Sequence, residues 1–134
     1  MAFHIFCRAA LEERPITVYG DGRQTRDFSY VGDVVTATID AASRPLDGPR
    51  VFNIGGGTPA SIRNVLEMIE RFAGRPLQIE YLDPERGDVR DTAADTTLAR
   101  EHLGFRPEAT LEAGVRAEFD WLADAIGGGA EPGP

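Results

Sequence analysis

Between Ser61 and Gly74 the sequence SIRNVLEMIERFAG carries a start signal, a stop signal and one apolar face. The Ser61 hydroxyl suits an N-cap, where it accepts a hydrogen bond from a free amide of the first turn. Ile62, Val65, Leu66, Ile69 and Phe72 follow at helical spacing. Gly74 is placed to end the helix in the left-handed conformation that glycine adopts without strain. A helix with a single apolar face must be covered by another element, so this stretch commits the chain to a layered globular fold. Partners for it are legible on both sides. Met1 to Glu13 reads as a helix through Ala2, Ile5, Phe6, Ala9 and Ala10, with Pro15 beyond its end. Asp33 to Ala42 reads as a second, directing Val34, Val35, Ala37 and Ile39 toward a core. Asp95 or Thr96 caps a short helix that Gly104 ends after Leu103. Thr110 caps a longer one to Ile126, with Leu111, Val115, Phe119 and Leu122 on one face and Trp121 half-buried beside it. Ile16–Tyr19, Val51–Ile54 and Leu77–Leu82 have strand composition. The expectation is an α/β fold (a small α+β domain) of about five helices and three or more short strands. At 134 residues one core is expected. Residues 1–126 would form it, and the tail GGGAEPGP, residues 127–134, would be disordered.

The strand at Ile16–Tyr19 runs into Gly20-Asp21-Gly22, then a polar loop with Arg23 and Arg26, then Asp27-Phe28-Ser29-Tyr30. Arginines beside the aromatic surface of Tyr19, Phe28 and Tyr30 suit an anion carrying a flat ring, such as a nucleotide. They equally suit a surface hairpin whose arginines pair with Asp21 and Asp27, and the residues alone leave both readings open. Glu85-Arg86-Gly87-Asp88-Val89-Arg90-Asp91 adds two more arginines in a loop, with the same two readings. Gly55-x-Gly57-x-x-Ala60 meets the relaxed dinucleotide fingerprint, with Glu80 about twenty residues beyond it. Against it, VFNI is short, Pro59 interrupts the turn, and Ser61 starts the helix after the motif. The competing reading is a glycine-rich strand-to-helix turn.

Several functions are excluded or disfavoured. A net charge of −8 repels nucleic-acid phosphates. No apolar run approaches the roughly 18 residues of a membrane span, and the start lacks a signal-peptide pattern. Cys7 is the single cysteine, so an internal disulfide is impossible and a cytoplasmic protein is expected. His4 and His102 lack partners at metal-ligand spacing. All fourteen basic residues are arginine. This chain therefore supplies no Schiff-base lysine, no P-loop lysine and no tyrosine–lysine acid/base pair.

Several motifs fall in one order: Pro15-Ile16-Thr17-Val18-Tyr19-Gly20-Asp21-Gly22, then Gln24-x-Arg26-Asp27-Phe28-x-Tyr30-Val31-x-Asp33-Val34. Phe52-Asn53-Ile54-Gly55-Gly56-Gly57, Gly87-Asp88-Val89, Ala94-Asp95-Thr96, Leu103-Gly104-Phe105-x-Pro107 and Leu111-Glu112-x-Gly114 follow. In this order they resemble the C-terminal part of the NAD-dependent epimerase/dehydratases, the extended short-chain dehydrogenase/reductases that act on nucleotide sugars. The likeness runs from residue 1 to about 123, and UDP-glucuronate and UDP-glucose 4-epimerases are the nearest in pattern.

The resemblance implies a substrate-binding lobe that lacks most of the Rossmann domain. It implies that Tyr19 packs on the nucleobase with Thr17 and Val18 beside it, and that Arg26 binds the diphosphate of a UDP-sugar. A second arginine is expected just before Gly87-Asp88. Here Arg86 stands one position late, with Glu85 in the expected place. The family's Gly-x-x-Gly-x-x-Gly and Tyr-x-x-x-Lys do not occur in this sequence. Met1 aligns with an internal methionine of longer relatives, and its helix has no cap. The expectation is a fragment or split half that has no catalytic residues and no cofactor of its own. NAD belongs to the full-length family, and an N-terminal Rossmann half or further copies of the chain would be partners. A small NAD-binding domain on Gly55, Gly57 and Ala60, or a remnant with no function, are the alternatives.

Overall fold

The computed structural model describes residues 2–45, 47–48 and 50–128; the expected disordered tail lies outside them except for Gly127 and Gly128. The element order is α1 (Ala2–Leu11), β1 (Ile16–Tyr19), β2 (Thr25–Arg26), α2 (Val31–Ser43) and β3 (Ala60–Ser61), then α3 (Ile62–Ala73), β4 (Ile79–Leu82), α4 (Thr97–Leu103) and α5 (Leu111–Gly127). Five helices and a few short strands are as the sequence implied. Length argued for one core, but the described chain divides into two compact units. The first takes the residues up to Gln24, Ser61–Arg90 and those from Glu112 on; the second takes Thr25–Ala60 and Asp91–Leu111.

The first unit is built around α3. Its N-cap Ser61 and Asn64 form a reciprocal capping box, and Gly74 closes it at φ 66°. Val65 and Ile69 are wholly buried, with Leu66 and Ile62 nearly so. They pack with Phe6 and Cys7 of α1, Ile16 and Val18 of β1, and Val115, Phe119 and Leu122 of α5 in the buried core. The rings of Phe72 and Phe119 lie 6.0 Å apart and tilted. α1 ends at Leu11, two residues before the expected Glu13, and Glu13 takes the left-handed position usually given to glycine. Arg14 N–H donates to Ala9 O at 2.9 Å and Glu13 N–H to Ala10 O at 3.4 Å. The Arg75 guanidinium donates to the Ala10 carbonyl at 2.5 Å, so a remote cation covers a helix end. β1 and β4 pair in parallel, with Ile16 opposite Ile79 and Tyr19 opposite Leu82.

The core of the second unit is smaller: Ala37, Ala99, Leu103 and Phe105, with Ala41, Phe52 and Ile54 against it. Gly104, left-handed at φ 69°, turns the chain so that Phe105 enters that core. The cap of α4 is Asp95, whose carboxylate accepts from Thr97 N–H at 3.0 Å, while Thr96 makes no side-chain cap bond. Two expectations fail here. α2 begins at Val31 and buries only Ala37. Val34, Val35 and Ile39 are 37%, 51% and 60% exposed, so helical spacing was read correctly and burial was not. Among the described residues, 51–54 join no ladder, and Val51 is 81% exposed. Strand composition without a neighbouring strand yields an extended segment only.

The glycine run belongs to this second core. A methyl on Gly56 would overlap the Phe28 carbonyl oxygen, and one on Gly55 would sit 2.7 Å from Ala94 Cβ. The Asp27 carboxylate accepts from Gly57 N–H at 3.0 Å and from Ala94 N–H at 3.1 Å. A carboxylate of the chain thus already occupies the amide that a pyrophosphate would need.

Two substitution series check this packing. Ile69→Ala should lower unfolding free energy by about 2–5 kcal/mol, and Val51→Ala by less than about 0.5 kcal/mol, in urea titrations. Gly56→Ala should cost about 1–3 kcal/mol through overpacking, whereas Gly127→Ala, which meets nothing within 4 Å, should be neutral or slightly stabilising.

Candidate functional site

In the first unit, the carboxyl ends of the parallel strands β1 and β4 open on a cavity of about 640 Å³. Its walls include Tyr19, Gln24, Arg63, Tyr81, Asp88 and Arg90. The size is that of a small-ligand site, and the carboxyl ends of parallel strands are where such sites form. Parallel pairing puts opposed residues on one face. Tyr19 and Leu82 therefore share one face of the ladder, and Val18 and Tyr81 the other.

The turn that frames the cavity is held at every residue. The Gln24 side chain donates to Tyr19 O at 2.8 Å, Gly20 N–H to Leu82 O at 2.9 Å, and Arg23 N–H to Asp21 Oδ1 at 2.9 Å. Helix α3 completes it. Arg63 N–H donates to Gly22 O at 2.9 Å, Ile62 N–H to Gln24 O at 3.3 Å, and Arg63 Nε to Asp21 O at 3.2 Å. With Asn64 N–H on Ser61 Oγ at 3.2 Å, amides usually left over at a helix start are taken by the chain itself. Gly22 is buried with φ 71°, and a methyl there would crowd Arg63 Cγ at 3.2 Å and make ordinary contact with Tyr81 Cε1 at 3.6 Å. Glycine is favoured here by the left-handed backbone of the turn. The Asp21 carboxyl is held below the usual carboxylate range, first by the Arg23 backbone amide and then by the charges of Arg23, Arg90 and Arg63.

The expected site residues separate. Tyr19 is 44% exposed and lines the cavity, and Thr17 is exposed on the same strand face. Val18 is 98% buried, so its side chain faces the core and only its backbone is offered to the strand edge. Arg86 is exposed on the loop after β4 and is not among the residues lining the cavity. Arg26 belongs to the second unit, where it is half-buried on β2 and donates to Thr25 O at 2.7 Å. Arg23 pairs with Asp21. Arg90 is one of the two loop arginines that suited an anion or surface pairing alike, whereas Arg63 and Tyr81 carried no expectation from the sequence. The signal for Tyr81 and Arg90 was their place at and after the end of a second strand; for Arg63 it was the first turn of a capped helix.

Cys7 is fully buried, and burial, with Glu118 adding to it, pushes its thiol up to about 12. His4 shares a 3.0 Å hydrogen bond with Glu118 and lies against Trp121. Among the described residues no group of three His, Cys, Asp or Glu is placed to hold a metal ion. Among them, too, no helix is long and apolar enough to cross a membrane. The glycine run does not fit a dinucleotide pyrophosphate, for the packing reasons above.

A family model described as the NAD dependent epimerase/dehydratase family matches residues 1–55. UDP-glucuronate 4-epimerase of Thermodesulfobacterium geofontis is 38% identical over 94% of this chain and 39% of its own length. UDP-glucose 4-epimerase of Mycolicibacterium smegmatis is 39% identical over 88% and 37% respectively. Among solved structures, UDP-glucuronic acid 4-epimerase from Bacillus cereus, in complex with UDP-glucuronic acid and NAD, superposes with a TM-score of 0.86. It is 36% identical over 91% of this chain and 39% of its own. UDP-glucose 4-epimerase from Thermotoga maritima, with UDP-glucose, has a TM-score of 0.86 at 30% identity, covering 94% and 40%. The chain spans about two fifths of the length of the relatives it matches. Its motifs, its fold and these matches agree: the chain belongs to the NAD-dependent epimerase/dehydratase family.

Proposed function

We propose that this chain forms the nucleotide-sugar-binding portion of an NAD-dependent sugar epimerase or dehydratase, and that its substrate is a UDP-sugar. One observation carries the reading. The cavity beyond β1 and β4 combines the half-exposed ring of Tyr19 with arginine side chains, in a chain of net charge −8. A flat base and a diphosphate are the ligand chemistry that this combination selects. Tyr19 packs on the base with Thr17 and the Val18 backbone beside it; Arg26 and Arg86, neither of which lines this cavity, are the cations that the family resemblance assigns to the diphosphate.

The chain binds; its partner reacts. Hydride transfer at a sugar carbon needs NAD, and removal of a hydroxyl proton needs a base of lowered pKa. This sequence supplies no lysine to lower one. Those parts would come from an N-terminal Rossmann half, on the same polypeptide or in trans, in the cytoplasm. Exposed Val31, Val35, Ile39 and Val51 supply apolar surface for such a partner to cover. The same exposure favours the second reading, a remnant without ligand that unfolds broadly and binds apolar dyes.

Titration calorimetry with UDP and UDP-glucuronate decides between them. Wild type should release heat with both ligands, and Arg26→Ala should weaken each by about tenfold or more, as expected for a lost charge-assisted bond. No heat with UDP, even beside a supplied Rossmann half, would refute nucleotide binding.

A further inference from the structure

The cavity is lined by two arginines that the family pattern does not point to, whereas Arg86 stays outside its walls. Arg90 lies on the segment that follows β4, and Arg63 on the first turn of α3. Arg63 is fixed rather than loose. Its Nε donates to Asp21 O at 3.2 Å and its amide to Gly22 O at 2.9 Å, and its stem and the Tyr81 ring both border the space that a Gly22 side chain would enter. The remaining guanidinium nitrogens lie at the end of a positioned stem, which lowers the ordering cost of binding an anion. Charges from both arginines reach the Asp21 carboxylate, so both lie within electrostatic range of one point in the cavity wall. Tyr81, 49% exposed, also lines the cavity, from the opposite face of the ladder to Tyr19.

We propose that Arg63 and Arg90 hold the phosphate end of a nucleoside diphosphate in this cavity, beside Tyr19 and Tyr81. The proposal rests on the nucleotide-sugar reading above and adds to it the two cations that line this cavity. Glu85 stands where the family pattern expects an arginine, and a carboxylate there repels phosphate. Arg90 and Arg63 restore the positive charge from two other segments. Asp21 and Asp88 are the resident counter-charges that an incoming diphosphate competes with for the guanidinium groups.

The test is calorimetry of the full 134-residue chain with UDP and with uridine, at low and moderate salt. Arg63→Gln and Arg90→Gln should each weaken UDP about tenfold, a loss that salt reduces, and leave uridine within about twofold. Asp21→Asn should tighten UDP by about two- to fivefold, the scale of an exposed charge interaction. Arg71→Gln removes the same charge from α3, where it pairs with Glu112, and should change neither ligand. Because Arg63 also braces the turn, Arg63→Lys is the folding-safe companion. It should recover part of the UDP affinity, and its failure to do so with an unchanged thermal melt would count against a charge role. Wild-type UDP binding with both glutamine variants at wild-type affinity, or with the loss confined to Arg86→Gln, would overturn the proposal and leave the nucleotide-sugar reading standing. A wild type that binds no UDP would overturn both.

Discussion

Docking of the turn at 20–24 onto the first turn of α3 is the contact on which the first unit depends. Two amides of the helix start, on Ile62 and Arg63, are satisfied by the Gln24 and Gly22 carbonyls. The Arg63 side chain then reaches back to Asp21 O. Unsatisfied helix-start amides are costly when shielded from water, and a charged loop is disordered when nothing binds its carbonyls. Each problem answers the other. The result fixes the exit of β1, and with it Tyr19, against a helix whose apolar face is sunk in the core. Gly22 suits it, since its φ of 71° strains other residues and a side chain there would crowd the Arg63 stem.

Local signals in the sequence reported this unit well. The capping box at Ser61, the left-handed Gly74, the apolar stripe of α3 and strands β1 and β4 depend on residues within a few positions of one another. What stayed hidden depends on distant parts of the chain. Glu13 ends α1 in a glycine-like conformation, and Arg75, about sixty residues on, donates to the Ala10 carbonyl of that end. α2 has core spacing but lacks a covering layer for Val35 and Ile39, and 51–54 has strand composition without an adjacent strand. Periodicity tells which residues would face a partner; it does not say that the partner is present.

The glycine run shows how one pattern serves two purposes. Gly55, Gly56 and Gly57 match the form of a dinucleotide loop, yet two of them exist to let Asp27, Phe28 and Ala94 close on the backbone. The Asp27 carboxylate does for Gly57 and Ala94 what a phosphate does in a cofactor loop. Sequence could not separate these uses because both need the same missing side chains. The candidate site was half legible for a related reason. Tyr19 was found from its motif, but Arg63, Tyr81 and Arg90 reach the cavity from three segments brought together only by the β1–β4 ladder and the docked helix.

The most direct measurement is an amide chemical-shift map of the chain titrated with UDP. Saturable shifts concentrated at residues 17–24, at Arg63 and along residues 81–90 are the expected result. Absence of saturable shifts, or a response centred on residues 55–60 with the β1–β4 cavity silent, would contradict nucleotide binding at this site.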